Sequence, residues 1–273
     1  MPTQTMIQQQ NNILWHKLNA ILRLALVKGA ANSWTDNILV NEYPKSGGSW
    51  PAQMLSEATE LPFPRNRLPM WRSSILHGHY KASVNVPKQV IVWRDGRDVA
   101  VSWYYHFVVG HELSNQGAIQ TIRQQAGISD PENLEESFPL ALKYFLNKPR
   151  YPRYSWASFV DYWADEPNIV HVKYEDLKRD TQGELQSLLE KLTGHQLDPS
   201  KAQTIVDKFS FNKQAGRKPG TENKKKYLRK GIIGDWKNHF TQASKALFDE
   251  HAGKQLITLG YESDNSWVTD ENL

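Results

Sequence analysis

Two histidines flank a glycine in Ile75-Leu-His77-Gly-His79-Tyr-Lys81. A spacing of two puts both imidazoles on one face of an extended chain. An imidazole titrates near neutral pH, so either could move a proton in a reaction. The pair could also ligate a metal. With no third ligand evident in the sequence, no metal is assigned. A second cluster, Lys45-Ser46-Gly47-Gly48-Ser49-Trp50, combines a mobile cation, two hydroxyls and two glycines. Glycines let a backbone approach an anion closely, and N–H groups at a helix start point toward it. A third group is Arg94 with Ser102. Eight residues are about two helical turns, so Ser102 can face the cavity that Arg94 faces. The fourth is a basic run. Residues 213–230 hold eight Lys or Arg and one acid, Glu222.

These groups need elements to position them. Residues 38–40 are apolar and read as a buried strand that Pro44 ends. A helix should follow the loop, with Pro51 in its first turn, where a missing N–H costs little. Residues 73–79 read as a second strand and residues 88–93 as a third, apolar enough to be central. Arg94 then stands at a strand's C-terminal end, where open α/β sheets bind ligands. Asp95 suits the N-cap of a helix over 97–107. Helical stretches recur through 111–163. A fourth strand covers 169–173, followed by helices over about 175–192, 199–208 and 242–256, with a basic loop over 211–234. Strands alternating with helices predict an α/β fold: a single domain with a central parallel sheet flanked by helices and a P-loop-like phosphate-binding loop. Residues 1–12 are expected to be disordered, and 13–273 to form that one domain.

The phosphate loop is not a Walker A motif, because Lys45 precedes the glycines instead of following them. The order Tyr-Pro-Lys-Ser-Gly-x-[Ser/Thr]-Trp resembles the 5′-phosphosulfate loop of the cytosolic-type sulfotransferases, which use 3′-phosphoadenosine 5′-phosphosulfate (PAPS). Residues 94–102 resemble that family's 3′-phosphate signature, with Gly96 where Pro or Ala is common. Leu228-Arg229-Lys230-Gly231-Ile-Ile-Gly234-Asp-Trp236-Lys237 resembles its Arg-Lys-Gly-x-x-Gly-Asp-Trp-Lys segment. Three motifs in order across residues 37–240 identify the chain as similar to this family.

The resemblance implies roles. Lys45, Ser46, Gly47, Gly48 and Ser49 would cradle the 5′-phosphosulfate. Arg94, Ser102, Arg229, Lys230 and Gly231 would hold the 3′-phosphate. Trp50, Tyr174 and Phe211 would approach the adenine. His79 aligns with the family's catalytic base, and His77 stands where the family has Lys; His77 is the alternative base. Lys45 would neutralise charge on the departing phosphate, leaving PAP. The family has a second hydroxyl residue where this chain has Gly48. Its C-terminal dimerisation segment is incomplete here, since Gln242 and Ala246 replace Val and Glu after Lys237 and Thr241. Residues 216–220 could form a lid that the cofactor orders.

Composition bounds the rest. The 273 residues carry net charge +4 and no Cys, so disulfides and Cys-ligated metals are excluded. No uncharged apolar run reaches the roughly 18 residues of a membrane span. A soluble, cytoplasmic protein without an Asn-x-Ser/Thr sequon is the expectation. Residues 13–28 have helical periodicity through Leu14, Leu18, Ile21 or Leu22, and Ala25, packed on the domain or lying at a membrane surface. The aromatic stretch Trp103, Tyr104, Tyr105, His106 and Phe107, with Phe63, Trp71, Tyr151 and Tyr154, reads either as core or as an acceptor pocket. The expected acceptor is a hydroxyl of a small molecule, lipid or glycan, with no nucleic-acid partner. Three rivals remain: a P-loop nucleotide kinase, an inactive nucleotide-binding relative, and a basic nucleic-acid-binding module with a steep salt dependence.

Overall fold

Strand β1 (Ile38–Glu42) is buried along its whole length and is the hub of the sheet. The computed structural model describes residues 18–19, 21–29, 35–65, 72–82, 84–112, 114–147 and 151–270. β1 pairs in parallel with β2 (Ile75–Gly78) on one side and β3 (Lys88–Trp93) on the other. β4 (Val170–Lys173) adds in parallel to β3, giving the order β2-β1-β3-β4. The chain leaves β1 toward one edge for β2 and then returns to the opposite side for β3. That reversal opens a crevice at the C-terminal ends of β1 and β3. Lys45 and Arg94 follow those two ends.

After β1, ten helices flank the sheet among the described residues: α1 (Ser49–Thr59), α2 (Gly96–Tyr104), α3 (Gln116–Ala126), α4 (Leu134–Asn147), α5 (Trp156–Trp163), α6 (Tyr174–Arg179), α7 (Thr181–Thr193), α8 (Pro199–Lys208), α9 (Phe211–Ala215) and α10 (Gln242–Thr258). Alternating strand residues separate two cores. Ile38, Val40, Val90, Val92 and Val172 face the leucines of α7, Ala202 and Ile205 of α8, and Ala52, Met54 and Leu55 of α1. Ile91 and Trp93 face an aromatic core containing Trp103, Phe138, Phe145, Trp156, Phe159 and Phe248 from α2, α4, α5 and α10. The single α/β domain with a parallel sheet covered on both faces is therefore as expected.

Several boundaries differ from the expected ones. The helix expected over 175–192 is two helices, because Asp180 leaves helical geometry and caps α7, its side chain accepting from the Gly183 N–H at 2.9 Å. The helix expected over 97–107 ends at Tyr104 and continues as a π-turn, Tyr105–Val109, closed by Gly110 N–H donating to the Tyr105 carbonyl at 3.0 Å. The basic loop opens with the short α9. The second strand is shorter than expected, so His79 lies just beyond it.

In the N-terminal segment, Leu18, Ile21 and Leu24 are exposed, while Leu26 and Val27 pack on Leu39 and Leu76. The packed face is thus not the one the apolar spacing selects; it carries Asn19 and Leu26, and Arg23 Nε donates to Asn19 Oδ1 at 3.0 Å. Residues 1–12, Leu14 and Trp71 lie outside the described residues. Among the described residues, no helix is long and apolar enough to cross a membrane.

Candidate active site

The turn after β1 is shaped by what crowds it. Lys45 and Gly47 both adopt positive φ, at 80° and 93°. The Tyr174 ring lies 2.8 Å from where a Gly47 Cβ would be, so the loop tolerates no side chain there. Gly48 faces the Glu42 carboxyl group, 2.9 Å from its own missing Cβ. Its N–H donates to Glu42 Oε2 at 2.5 Å. A residue of the chain already holds that donor.

Glu42 organises the end of the site nearest β2. His77 Nε2–H donates to Glu42 Oε1 at 3.0 Å, and His79 Nδ1–H donates to the Glu42 carbonyl at 3.0 Å. The two imidazole centroids are 5.2 Å apart. Burial works against the charge of Glu42, but the His77 hydrogen bond, the nearby His79 and the Gly48 N–H hold its pKa below the ordinary carboxylate value. Burial, reinforced by His77 and Lys45 and opposed by Glu42, lowers His79 to about 4. His79 is thus a neutral imidazole at pH 7. A carbonyl only accepts, so Nδ1 carries the proton and the Nε2 lone pair is left for another donor.

Lys45 reaches across the loop to the π-turn. Its ammonium donates to His106 Nδ1 at 3.3 Å and lies 4.3 Å above the Tyr227 ring. His111 Nε2 lies 2.6 Å from the same His106 nitrogen. Burial, then Lys45 and His111, push the His106 imidazole far down, so it stays an acceptor. Burial lowers Lys45 to about 8; Arg94 and Arg229 add to this and Glu42 opposes it. Of the aromatic stretch, Trp103, Tyr104 and Tyr105 are core. His106 and Phe107 turn toward the site, Phe107 lying 5.8 Å from Tyr151, which in turn stands 5.9 Å from His79.

Arg94 ties three segments together. It donates to the Lys45 carbonyl at 3.2 Å and the Ile232 carbonyl at 3.4 Å, and its guanidinium stands 4.6 Å over the Tyr174 ring. Its Nε is buried without a partner. Asp98, 3.7 Å from Arg94, accepts from the N–H groups of Gly234 at 2.8 Å and Trp236 at 2.9 Å. That contact fixes the end of the basic segment against α2. Arg229 pairs with Glu222 and Asp235, and Lys230 Nζ donates to Asp235 at 2.6 Å. Farther back, Lys226 pairs with Glu112 at 2.6 Å and the Glu112 N–H donates to the Lys225 carbonyl.

The segment thus lies closed over a cavity of about 460 Å³. Lys45, Gly47, Ser49, Trp50, Arg94, Ser102 and Tyr174 line it, together with Phe211, Arg229, Lys230 and Gly231 from the covering segment. Trp50 and Tyr174 meet edge to face, 6.0 Å apart, and Trp50 Nε1 donates to the Phe209 carbonyl. Of the expected binding residues, Ser46 and Gly48 are not on the cavity wall. His77 and His79 stand beside the cavity, joined to it through Glu42. Residues that the sequence reading missed are Glu42, His111 and Tyr227, and it gave His106 no role beyond core or acceptor pocket.

Such a site offers cations at two separated points, aromatic edges between them, and a neutral base next to a buried lysine. That suits a nucleotide with phosphate at both ends of its ribose and a reaction at one end. The comparisons with known proteins agree. The family model described as "Sulfotransferase domain" matches residues 73–260. Sulfotransferase 1E1 of Cavia porcellus is 32% identical over 62% of this chain and 54% of its own length. Sulfotransferase 1E1 of Homo sapiens is 26% identical over 81% of this chain and 84% of its own length. Among solved structures, mouse sulfotransferase SULT7A1 complexed with PAP is 19% identical, with a TM-score of 0.62 over 88% of this chain and 90% of that one. Retinol dehydratase in a complex with retinol and PAP is 17% identical, with a TM-score of 0.55 over 81% of each chain. At these identities the structural likeness speaks to the fold.

Proposed function

The chain belongs to the sulfotransferase family, and from that premise we propose that it transfers the sulfonate of PAPS to a hydroxyl of a small-molecule, lipid or glycan acceptor in the cytoplasm, with His79 as general base. The observation that carries the reading is the pairing of a neutral His79, its Nδ1–H tied to the Glu42 carbonyl, with the buried cation Lys45, near enough to help lower the His79 pKa. When bound, PAPS supplies a sulfur whose bond to the 5′-phosphate oxygen breaks as the acceptor oxygen bonds to it.

The fit of that cofactor rests on the cavity wall. Arg94, with a buried Nε that lacks a partner, and Ser102, Arg229, Lys230 and Gly231 form the end suited to a 3′-phosphate. Trp50, Tyr174 and Phe211 suit the purine. Lys45, Gly47 and Ser49, at the start of α1, serve the 5′ end, while Ser46 and Gly48 lie off the wall and shape the loop.

Each group does a defined task. His79 Nε2 takes the acceptor's proton as the acceptor oxygen becomes nucleophilic. Lys45 offsets negative charge that gathers on the departing phosphate oxygen, and burial makes that charge count for more than it would in water. Leaving its His106 partner is the reorganisation this asks of the lysine. His77, held by Glu42, keeps the His79 ring company on the acceptor side and is the alternative base. The phosphoryl-transfer rival has no use for Arg94, Ser102 and Arg229 together, since ATP has no 3′-phosphate.

Calorimetric titration with PAP, AMP and ATP tests the reading, on the wild type and on Arg94→Ala. The wild type should prefer PAP to AMP by about 10-fold or more, the scale of a charged hydrogen bond, and Arg94→Ala should lose that preference. Equal affinity for PAP and AMP would sink it.

A further inference from the structure

We propose that Glu42, His77 and His79 form a binding site for a zinc-class divalent cation, and that occupancy of this site arrests transfer. The inhibitory half rests on His79 being the base; the binding half does not. The metal is a brake here, not a partner in the chemistry.

The geometry is that of a three-ligand site short of closure. One ligand atom each from Glu42, His77 and His79 lies within 4.8 Å of the other two. His77 Nε2 and Glu42 Oε1 are already 3.0 Å apart. Tetrahedral zinc, with bonds of about 2.0–2.2 Å to nitrogen and oxygen, sets neighbouring donors roughly 3.3–3.5 Å apart. Small side-chain rotations therefore suffice. Two imidazoles and one carboxylate, with a fourth position open, make a donor set that favours zinc-like ions over magnesium or calcium, which call for oxygen ligands.

The surroundings hold two of these ligands in the manner of a metal site. A ligating imidazole usually donates its other N–H to a carbonyl or carboxylate, which fixes tautomer and ring angle. His79 does this through Nδ1–H to the Glu42 carbonyl, leaving Nε2 to ligate. Glu42 is anchored in turn, since its second oxygen holds the Gly48 N–H while Oε1 faces His77. The strand register accounts for the juxtaposition. Val40 pairs with His77 across β1 and β2, which sends Glu42 and His79 out together beyond the pairing. Where the resembling family carries Lys in place of His77, this donor set cannot form.

The functional consequence follows from a single lone pair. His79 Nε2 cannot accept the acceptor's proton while it is bonded to a metal. Zinc binding and turnover are then mutually exclusive, and removal of the ion restores the base.

The test has two arms, both on the full chain. In the first, zinc competes between the protein and a chromophoric chelator, for wild type, His77→Lys, Glu42→Gln and the control His111→Asn, with thermal melting to check folding. One zinc per chain is expected for wild type and His111→Asn. Both triad variants should bind about 100-fold more weakly or worse, since even an outer-shell loss costs about 10–100-fold. Equal zinc affinity in all four proteins would overturn the site. The second arm follows sulfonate transfer from PAPS to a generic phenol or alcohol acceptor. Zinc should halt the wild type with the midpoint found in the first arm, a chelator should restore it, and residual transfer by His77→Lys should not respond. Tight, triad-dependent zinc binding without effect on turnover would overturn the brake. A wild type that yields no product with any acceptor, zinc or not, would count against the proposed transfer instead, and the first arm would still decide the site.

Discussion

At the Arg94 end of the cavity the cations are paired before any ligand arrives. Arg94 faces Asp98, Arg229 faces Glu222 and Asp235, and Lys230 shares Asp235. Burial opposes the charge of Arg94, but Asp98, Tyr174 and Glu175 hold its pKa above the ordinary guanidinium value. Burial also opposes Asp235, but Lys230 and Arg229 keep it below the usual carboxylate range. At the Lys45 end the opposite design applies. His79 and His106 are neutral nitrogens kept neutral by burial, and Lys45 is a cation within reach of losing its proton. The difference teaches a division of labour. On the proposed function, permanent charges would do the holding, where a constant field is useful. The tuned groups would, on the same reading, do the chemistry, where a proton must come and go.

His79→Ala should separate the two ends most sharply. We expect transfer to fall about 10²–10⁴-fold, while PAP affinity by calorimetry stays within a few-fold of wild type. Comparable loss in His77→Ala, with His79→Ala active, would instead make His77 the base. Lys45→Ala should lower kcat about 10²–10³-fold, with a smaller effect on PAP, which has already lost its sulfonate.

The pH profile sharpens the contrast further. Protonation of His79 below about 4 removes the lone pair, and deprotonation of Lys45 above about 8 removes the cation. The kcat/KM profile should therefore be level through neutrality and fall on both sides, the alkaline fall beginning near 8. PAP affinity carried by arginines should show no such fall. An alkaline limb absent up to about 10, the ordinary lysine range, would mean either that Lys45 keeps its proton there or that its charge is not used, and the Lys45→Ala variant decides between the two.

The smallest effect is a control off the cavity wall. Thr241 caps α10 by accepting from the Ser244 N–H at 3.2 Å. Thr241→Ala should cost about 1 kcal/mol of stability in a denaturant titration and leave PAP binding alone.

Where the residues of the proposed nucleotide end sit could be read from the sequence, because they occupy predictable places on single elements. Arg94 follows an unbroken apolar strand, and Asp95 announces the next helix. The catalytic end was less legible. Glu42 is one acidic residue at the end of a strand, with no local pattern to mark it. Its partners His77 and His79 are brought to it only by the pairing of β1 with β2. His106 was hidden by the π-turn, which adds a residue to one turn and rotates everything after Tyr104 away from α-helical spacing. A helix drawn through 107 keeps His106 in phase with the core residues; the bulge turns it to Lys45. In the N-terminal segment, burial of Leu26 and Val27 against Leu39 and Leu76 overrode the apolar stripe that included Leu18 and Ile21.

The parallel sheet has a consequence for how the protein assembles. Ile38 meets Lys88, and Val90 meets Val170, so no pairing is local in sequence. The crevice between β1 and β3 exists only once those distant segments have joined, and its cover comes later still, from beyond residue 211. Such a topology folds slowly, and a nucleotide finds nothing to grip until the chain is nearly native. Contacts made that late act on the exit from the native state, not on the approach to it. Saturating PAP should therefore lengthen the lifetime of the folded chain in denaturant and leave its refolding rate unchanged.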